Sequence, residues 1–144
     1  MRKNLKAFTL IEVLVVVALI AILATITIIA INPTKNFRDA RNSQRSSDVS
    51  AILNAVTQYT SEQGNQLADL GTIPACTATP AAIGSGTNNV NLATTLVPDY
   101  LVAIPEDPSN GTPENTGYTI CEAASGRVQI AAPGAENKTI SVQR

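Results

Sequence analysis

The hydrophobic pattern changes character twice along the chain. Over residues 8–31 (FTLIEVLVVVALIAILATITIIAI) almost every position is apolar and the one charge is Glu12. No helical face is left polar, which predicts a helix with an apolar environment on all sides. At about 1.5 Å per residue the run measures roughly 36 Å, enough to cross a bilayer core of about 30 Å. Its many β-branched residues lower helix propensity in water, but in lipid every backbone amide needs an internal partner, and that requirement enforces the helix. After Asn32-Pro33 the pattern becomes periodic. Val49, Ile52, Leu53, Val56 and Tyr59 recur at helical spacing and predict an amphipathic helix whose stripe packs on a sheet. Pro33 fits either a kink or the first turn of a restarted helix capped by Asn32.

Residues 64–98 are rich in Gly, Thr, Ala, Asn and Pro, with Gly-Ser-Gly-Thr-Asn-Asn at 84–89, and read as loop rather than core. A short helix is expected within 92–101, broken at Pro98. Three alternating stretches, 118–122, 127–130 and 138–142, predict an antiparallel meander. Tyr118, Ile120, Val128, Ile130, Ile140 and Val142 would share the face toward the helical stripe, with Cys121 on the other face, placed to tie the loop at Cys76 over the sheet. The expected fold class is α+β, a long N-terminal helix carrying a small antiparallel head, divided into residues 1–7, 8–31, 32–63 and 64–144.

Composition narrows the chemistry. The chain has 144 residues, no His and no Trp, which removes Ser-His-Asp catalysis, His-based zinc sites and histidine switching. The bases fall in blocks: Arg2, Lys3 and Lys6; Lys35, Arg38, Arg41 and Arg45; then Arg127, Lys138 and Arg144. Residues 46–126 hold no base but eight acids, so this body would repel a phosphate backbone, and direct nucleic-acid binding by the head is not expected. No nucleophile, base and metal set is present, so neither catalysis nor a cofactor is expected. Asp107, Asn110 and Glu114 make an oxygen-rich turn without calcium-loop spacing, and Pro and Gly account for that turn. The sequons at Asn110 and Asn137 are short enough to arise by chance.

Glu12 decides what the apolar run is for. A secretory signal core is shorter and uncharged, and an acid inside a membrane helix costs about 2.5–3.5 kcal/mol at the helix centre. Lys6-Ala7-Phe8-Thr9-Leu10-Ile11-Glu12-Val13 strongly resembles the class III leader junction of type IV prepilins and type II secretion pseudopilins, with Ala7 where glycine is usual. The resemblance implies a leader of residues 1–7, cleavage between Ala7 and Phe8 by a prepilin peptidase, N-methylation of Phe8, and an assembly role for Glu12. An i,i+4 spacing would place the new Phe8 amine and Glu12 on one helix face. The partner of Glu12 is then its own Phe8 amine or that of a neighbouring subunit, the alternative being an acid that snorkels to the headgroups.

Arg38, Arg41 and Arg45 form a basic ridge at i, i+3, i+7, with Asp48 a turn beyond. It reads either as a solvated face with a local ion pair or as a contact with lipid headgroups and then with another subunit. Cys76 and Cys121, the only cysteines, make most sense as a disulfide on the oxidising side. The stretches Pro98-Asp99-Tyr100-Leu101 and Ile104-Pro105-Glu106-Asp107-Pro108 resemble a recurring pilin and pseudopilin head motif. The resemblance implies an inner-membrane precursor that assembles, through a platform and an ATPase, into an extracellular helical homo-oligomer. The alternatives are a type II secretion pseudopilin and an uncleaved membrane-anchored binding head.

Overall fold

A computed structural model describes residues 7–144; the expected leader, apart from Ala7, lies outside the described residues. The chain is α+β: an N-terminal apolar helical stretch is followed by a small four-stranded antiparallel sheet. Contacts divide the chain after Phe37 into two units.

The first unit is built on α1, Leu10–Ile31, none of whose residues is buried. Leu10, Leu23 and Ile29 are 86%, 64% and 75% exposed. Two threonines in the run turn their hydroxyls back on the helix, Thr25 Oγ1 donating to Ala21 O at 2.9 Å and Thr27 Oγ1 to Leu23 O at 2.8 Å. Each hydroxyl thereby finds its acceptor within its own helix. Asn32 ends α1 in the left-handed region, φ 46°. Of the two readings of Pro33, the restart is the one seen: α2, Pro33–Ser61, has Pro33 in its first turn, and Asn32 Oδ1 accepts from Lys35 N at 3.3 Å.

The second unit begins at Arg38 and contains most of α2. Val49, Ile52, Leu53 and Val56 are buried as their spacing predicts, with Tyr59 packed at the margin of the same cluster. They meet the sheet, whose strands β1 (Ala81–Ala82), β2 (Thr119–Glu122), β3 (Val128–Ala131) and β4 (Ser141–Gln143) lie in sequence order. Ile120 pairs with Ile130 and Ile130 with Val142, a cross-strand row on the face that covers the helix. Tyr118, Ile120, Val128, Ile130 and Ile140 are buried.

Two expectations need correction. The segment 64–98 is not outside the core: Leu70, Ile83, Val90, Leu92 and Leu96 are buried in the same cluster as the helical stripe. Their spacing follows neither helical nor strand periodicity, because they project inward from turns, a 3-10 segment (Leu67–Leu70) and the single-turn helix α3 (Ala93–Leu96). The loop at Cys76 does not cross over the sheet either. It runs beside the end of β2 that β1 leaves unpaired, where Cys76 N donates to Glu122 O and Glu122 N to Pro74 O, each at 2.8 Å. The disulfide Cys76–Cys121 fastens this edge, with Cα atoms 4.9 Å apart. At the end of α2, Tyr59 and Tyr100 meet edge to face at 5.6 Å, and the Tyr100 hydroxyl donates to Glu62 at 2.6 Å. That bond pushes the Tyr100 pKa up to about 12.

The disulfide joins residues 45 apart in sequence, and closing a loop of that length is worth about 4 kcal/mol in the chain-entropy model. Reduction is expected to lower the unfolding free energy of the full chain in detergent micelles by about that amount. Urea titrations followed by tyrosine near-UV circular dichroism, with and without dithiothreitol, measure it; coincident curves would contradict it.

Candidate functional site

Two sets of residues carry the chemistry that the sequence singles out: the start of α1 and the arginine block of α2. At the start of α1, Thr9 is the N-cap, with extended φ −82° and ψ 151°. Its Oγ1 accepts from Glu12 N at 3.2 Å, and its own N–H donates to Glu12 Oε2 at 3.3 Å. This is a capping box, two orphan amides of the helix start satisfied reciprocally. Thr9-Leu10-Ile11-Glu12 carries the signal openly, a Thr followed three residues on by Glu ahead of an apolar run, but reading Glu12 only as a charge passes over it.

The cap alters the expected geometry. A helix that included Phe8 would have Glu12 N bonded to Phe8 O, whereas here Thr9 Oγ1 takes that amide and the first helical bond runs from Val13 N to Thr9 O. Phe8 therefore stands before the cap, outside the helical path on which the i,i+4 expectation was drawn. Phe8 and Val13 occupy the two positions of a hydrophobic staple. Ala7 and Phe8 are exposed, ahead of the first helical residue.

The arginine block is also corrected by the structure. Of Arg38, Arg41 and Arg45, only Arg38 fits an open basic ridge, and it lies 3.7 Å from its neighbour Asp39. Arg41 makes a bidentate pair with Glu136, Nε to Oε1 at 2.7 Å and Nη2 to Oε2 at 2.8 Å. Arg45 is only 1% exposed and cannot reach a headgroup or another subunit. Its guanidinium grips Asp107 with Nε to Oδ2 at 2.6 Å and Nη2 to Oδ1 at 3.0 Å. The remaining N–H groups go to Ser109 Oγ, Asn42 Oδ1 and Glu136 Oε1, so all five donors of the guanidinium have acceptors. The local pair with Asp48 is absent: Asp48 accepts instead from the buried Tyr118 hydroxyl at 2.7 Å and from Gln44 at 2.7 Å.

Asn42 completes this seam. Its amide donates to Glu136 O at 2.8 Å and accepts from Glu136 N at 3.0 Å, so it binds the turn after β3 as a strand neighbour would. The backbone closes tightly around Asp107. A Cβ on Gly117, at φ +81°, would lie 2.7 Å from Asp107 Cβ, and one on Gly134 would lie 3.0 Å from Asp107 Oδ2. The oxygen-rich turn at Asp107 thus serves an arginine, with Ser109 N donating to Asp107 Oδ1 at 2.9 Å. The hydrogen bond from Arg45 holds the Asp107 carboxyl below its usual range, and Asp107 in turn raises Arg45. Arg41 likewise lowers Glu136, and burial together with Asp48 raises the Tyr118 hydroxyl.

The signal for Asn42 and Arg45 was present in the spacing. Positions 42, 45, 49, 52 and 56 advance by three and four, so the apolar stripe simply continues into polar residues on the same face. Their partners Asp107 and Glu136 stand in turns with no periodicity, and nothing local announces them.

The arrangement at the head brings no nucleophile and base together; it neutralises charges and fixes loops to a helix. Residues 2–28 match the family model of the prokaryotic N-terminal methylation motif. No curated protein and no solved structure matches the chain.

Arg45→Met and Asp107→Asn are each expected to lower stability by about 3–5 kcal/mol, because each leaves a buried group without its partner. The double variant Arg45→Met/Asp107→Leu is expected to lose much less than the sum. The pH dependence follows from the depressed Asp107 pKa: its contribution is complete above about pH 4 and is lost as the pH falls through the folded value. Asp107→Asn should flatten that acid limb, as urea midpoints across pH 2–6 would register; an unchanged limb would assign the acid sensitivity elsewhere.

Proposed function

We propose that this chain, a type IV pilin- or pseudopilin-like prepilin by its methylation motif over residues 2–28, is a structural subunit of a type IV pilus. A class III leader implies processing by a prepilin peptidase, and the N-terminal apolar helix fits a membrane-anchored precursor. In this reading the leader is removed between Ala7 and Phe8, Phe8 is methylated, and α1 holds the subunit in the inner membrane. Subunits then pass into an extracellular filament whose core is a bundle of α1 helices. An assembly platform and an ATPase supply the work, and the chain itself catalyses nothing.

The observation that supports this reading best is α1 itself, a 22-residue helix with no buried residue. Such a helix needs lipid around it first and other helices later, because water would face apolar side chains on every side. Glu12 gives the exchange its direction. A carboxylate in hydrocarbon is costly, and the amine created at Phe8 of a neighbouring subunit is the charge that would neutralise it on docking. A misregistered neighbour leaves that charge unpaired, so the pair selects register as well as partner. The head contributes the outer surface, held to α2 by the core and the arginine seam.

Co-expression with a prepilin peptidase and an assembly system tests the reading. Intact mass and N-terminal sequencing are expected to give a methylated Phe8, and electron microscopy is expected to show surface filaments. Glu12→Gln is expected to be processed normally yet to assemble few or no filaments. A retained Met1, or a cut near Ala30, would sink the filament reading. Correct processing without surface filaments would favour the pseudopilin.

A further inference from the structure

The head carries an apolar hollow that its own side chains leave open. It measures about 360 Å³, and Ile83, Leu92, Val97, Ile104 and Pro113 line it together with the exposed Glu106. Val102, next to the lining residues Ala103 and Ile104, is 93% exposed and widens the apolar surface at the opening. Among the described residues that follow α1, the other large apolar side chain left exposed is Phe37, at 67%. Apolar surface rimmed by charge marks a place where a partner docks, and here a socket and a ring are both left over.

The two fit in size and in charge. An apolar cavity of about 150 Å³ already takes a benzene ring, so the hollow has room for a phenyl side chain. Lys35 and Arg38 flank Phe37, whereas residues 46–126, which supply every wall of the hollow, hold eight acids and no base. Glu106 forms no ion pair among the described residues. We propose that the hollow receives Phe37 of a second copy, with Lys35 and Arg38 brought toward Glu106. The proposal rests on the filament reading and names a contact which that reading leaves open, between the start of α2 in one subunit and the head of the next. A socket and a ring on different parts of one chain make a heterologous contact, which adds copies in one direction instead of closing as a two-fold pair. Before assembly the same ring and cations suit the headgroup layer beyond α1.

Two copies with one substitution each test the contact: Phe37→Cys in one and Ala103→Cys in the other. They are expressed together with a prepilin peptidase and an assembly system, and intact filaments are treated with a short bismaleimide. The expected product is a dimer joined through residues 37 and 103, identified by peptide mass and absent when either copy is expressed without the other. Phe37→Ala removes the ring and Ala103→Phe fills the hollow from its own wall. Each is expected to lower the yield of sedimented filaments about tenfold or more, the order of effect of leaving one aromatic ring unburied. The amount of processed precursor in the membrane is expected to stay at the wild-type level. The double variant is expected to lose no more than either single one, since both substitutions remove the same contact.

Urea midpoints verify that Ala103→Phe folds, and Ala93→Phe, also on the wall of the hollow, replaces it if it does not. A ring that serves only as an anchor in the headgroup layer gives the opposite pattern. Phe37→Ala then depletes the precursor in the membrane, and filling the hollow changes nothing. That pattern, absence of the 37–103 product, or additive losses in the double variant would overturn the contact and leave the filament reading intact. Correctly processed wild type that forms no filament would overturn the filament reading itself, and this inference with it.

Discussion

Arg45 lies on the face of α2 that the rest of the head covers, and a guanidinium there cannot be left without partners. An uncompensated buried charge costs several kcal/mol, so the loop carrying Asp107 and the turn carrying Glu136 have to come to α2. The constraint explains features that look unrelated in sequence. The bidentate geometry fixes the Asp107 loop in two directions. The close approach of Gly117 and Gly134 to Asp107 follows, since that loop is pressed between the arginine and neighbouring backbone. Asn42 binds both Arg45 and the backbone of Glu136, so a single amide couples the two loops. Hydrophobic contact alone would hold the sheet against α2, but it is nondirectional. The ion pair and its satellites specify where along α2 the loops sit.

How much of this was legible depends on range. Periodic features were readable. The apolar run, the stripe from Val49 to Val56 and the alternation around Ile120 and Ile130 each repeat a local geometry, and local repetition survives in a one-dimensional string. The cysteines were readable because there are only two. The cap at Thr9 was readable but overshadowed, since Glu12 carries two meanings and its charge is the louder one. The core residues of 64–98 were not readable. Ile83, Leu92 and Leu96 occupy positions set by turns, and each is buried by a distant partner instead of by its own repeat. The pairing of Arg45 with Asp107 was hidden for the same reason: 62 residues separate them. A row of three arginines reads as one surface when its acids are out of sight.

The two units solve the problem of apolar surface in opposite ways. In the head, a small core is assembled from sparse positions and then pinned by one disulfide and a polar seam. In α1 no internal solution is attempted. Every residue is exposed, the threonine hydroxyls are folded onto the helix backbone, and Glu12 is drawn into the cap. What remains outward is almost purely hydrocarbon, suited to lipid and to other helices alike. No glycine or proline interrupts the run, so its backbone is one uninterrupted helix from cap to Asn32.

The polar seam also sets a timetable. Arg41 and Glu136 are 95 residues apart, and at about 5–20 residues per second their synthesis is separated by roughly 5–20 s. Through most of that interval, until β2 and β3 have been made, the face of α2 that will be buried has no sheet to cover it. Asn42, Arg45 and Asp48 keep part of that face hydrated while it waits, where an unbroken apolar stripe would present a sticky surface to every other nascent chain. The residues that later lock the head are thus also the ones that keep the uncovered face of the unfinished chain partly polar.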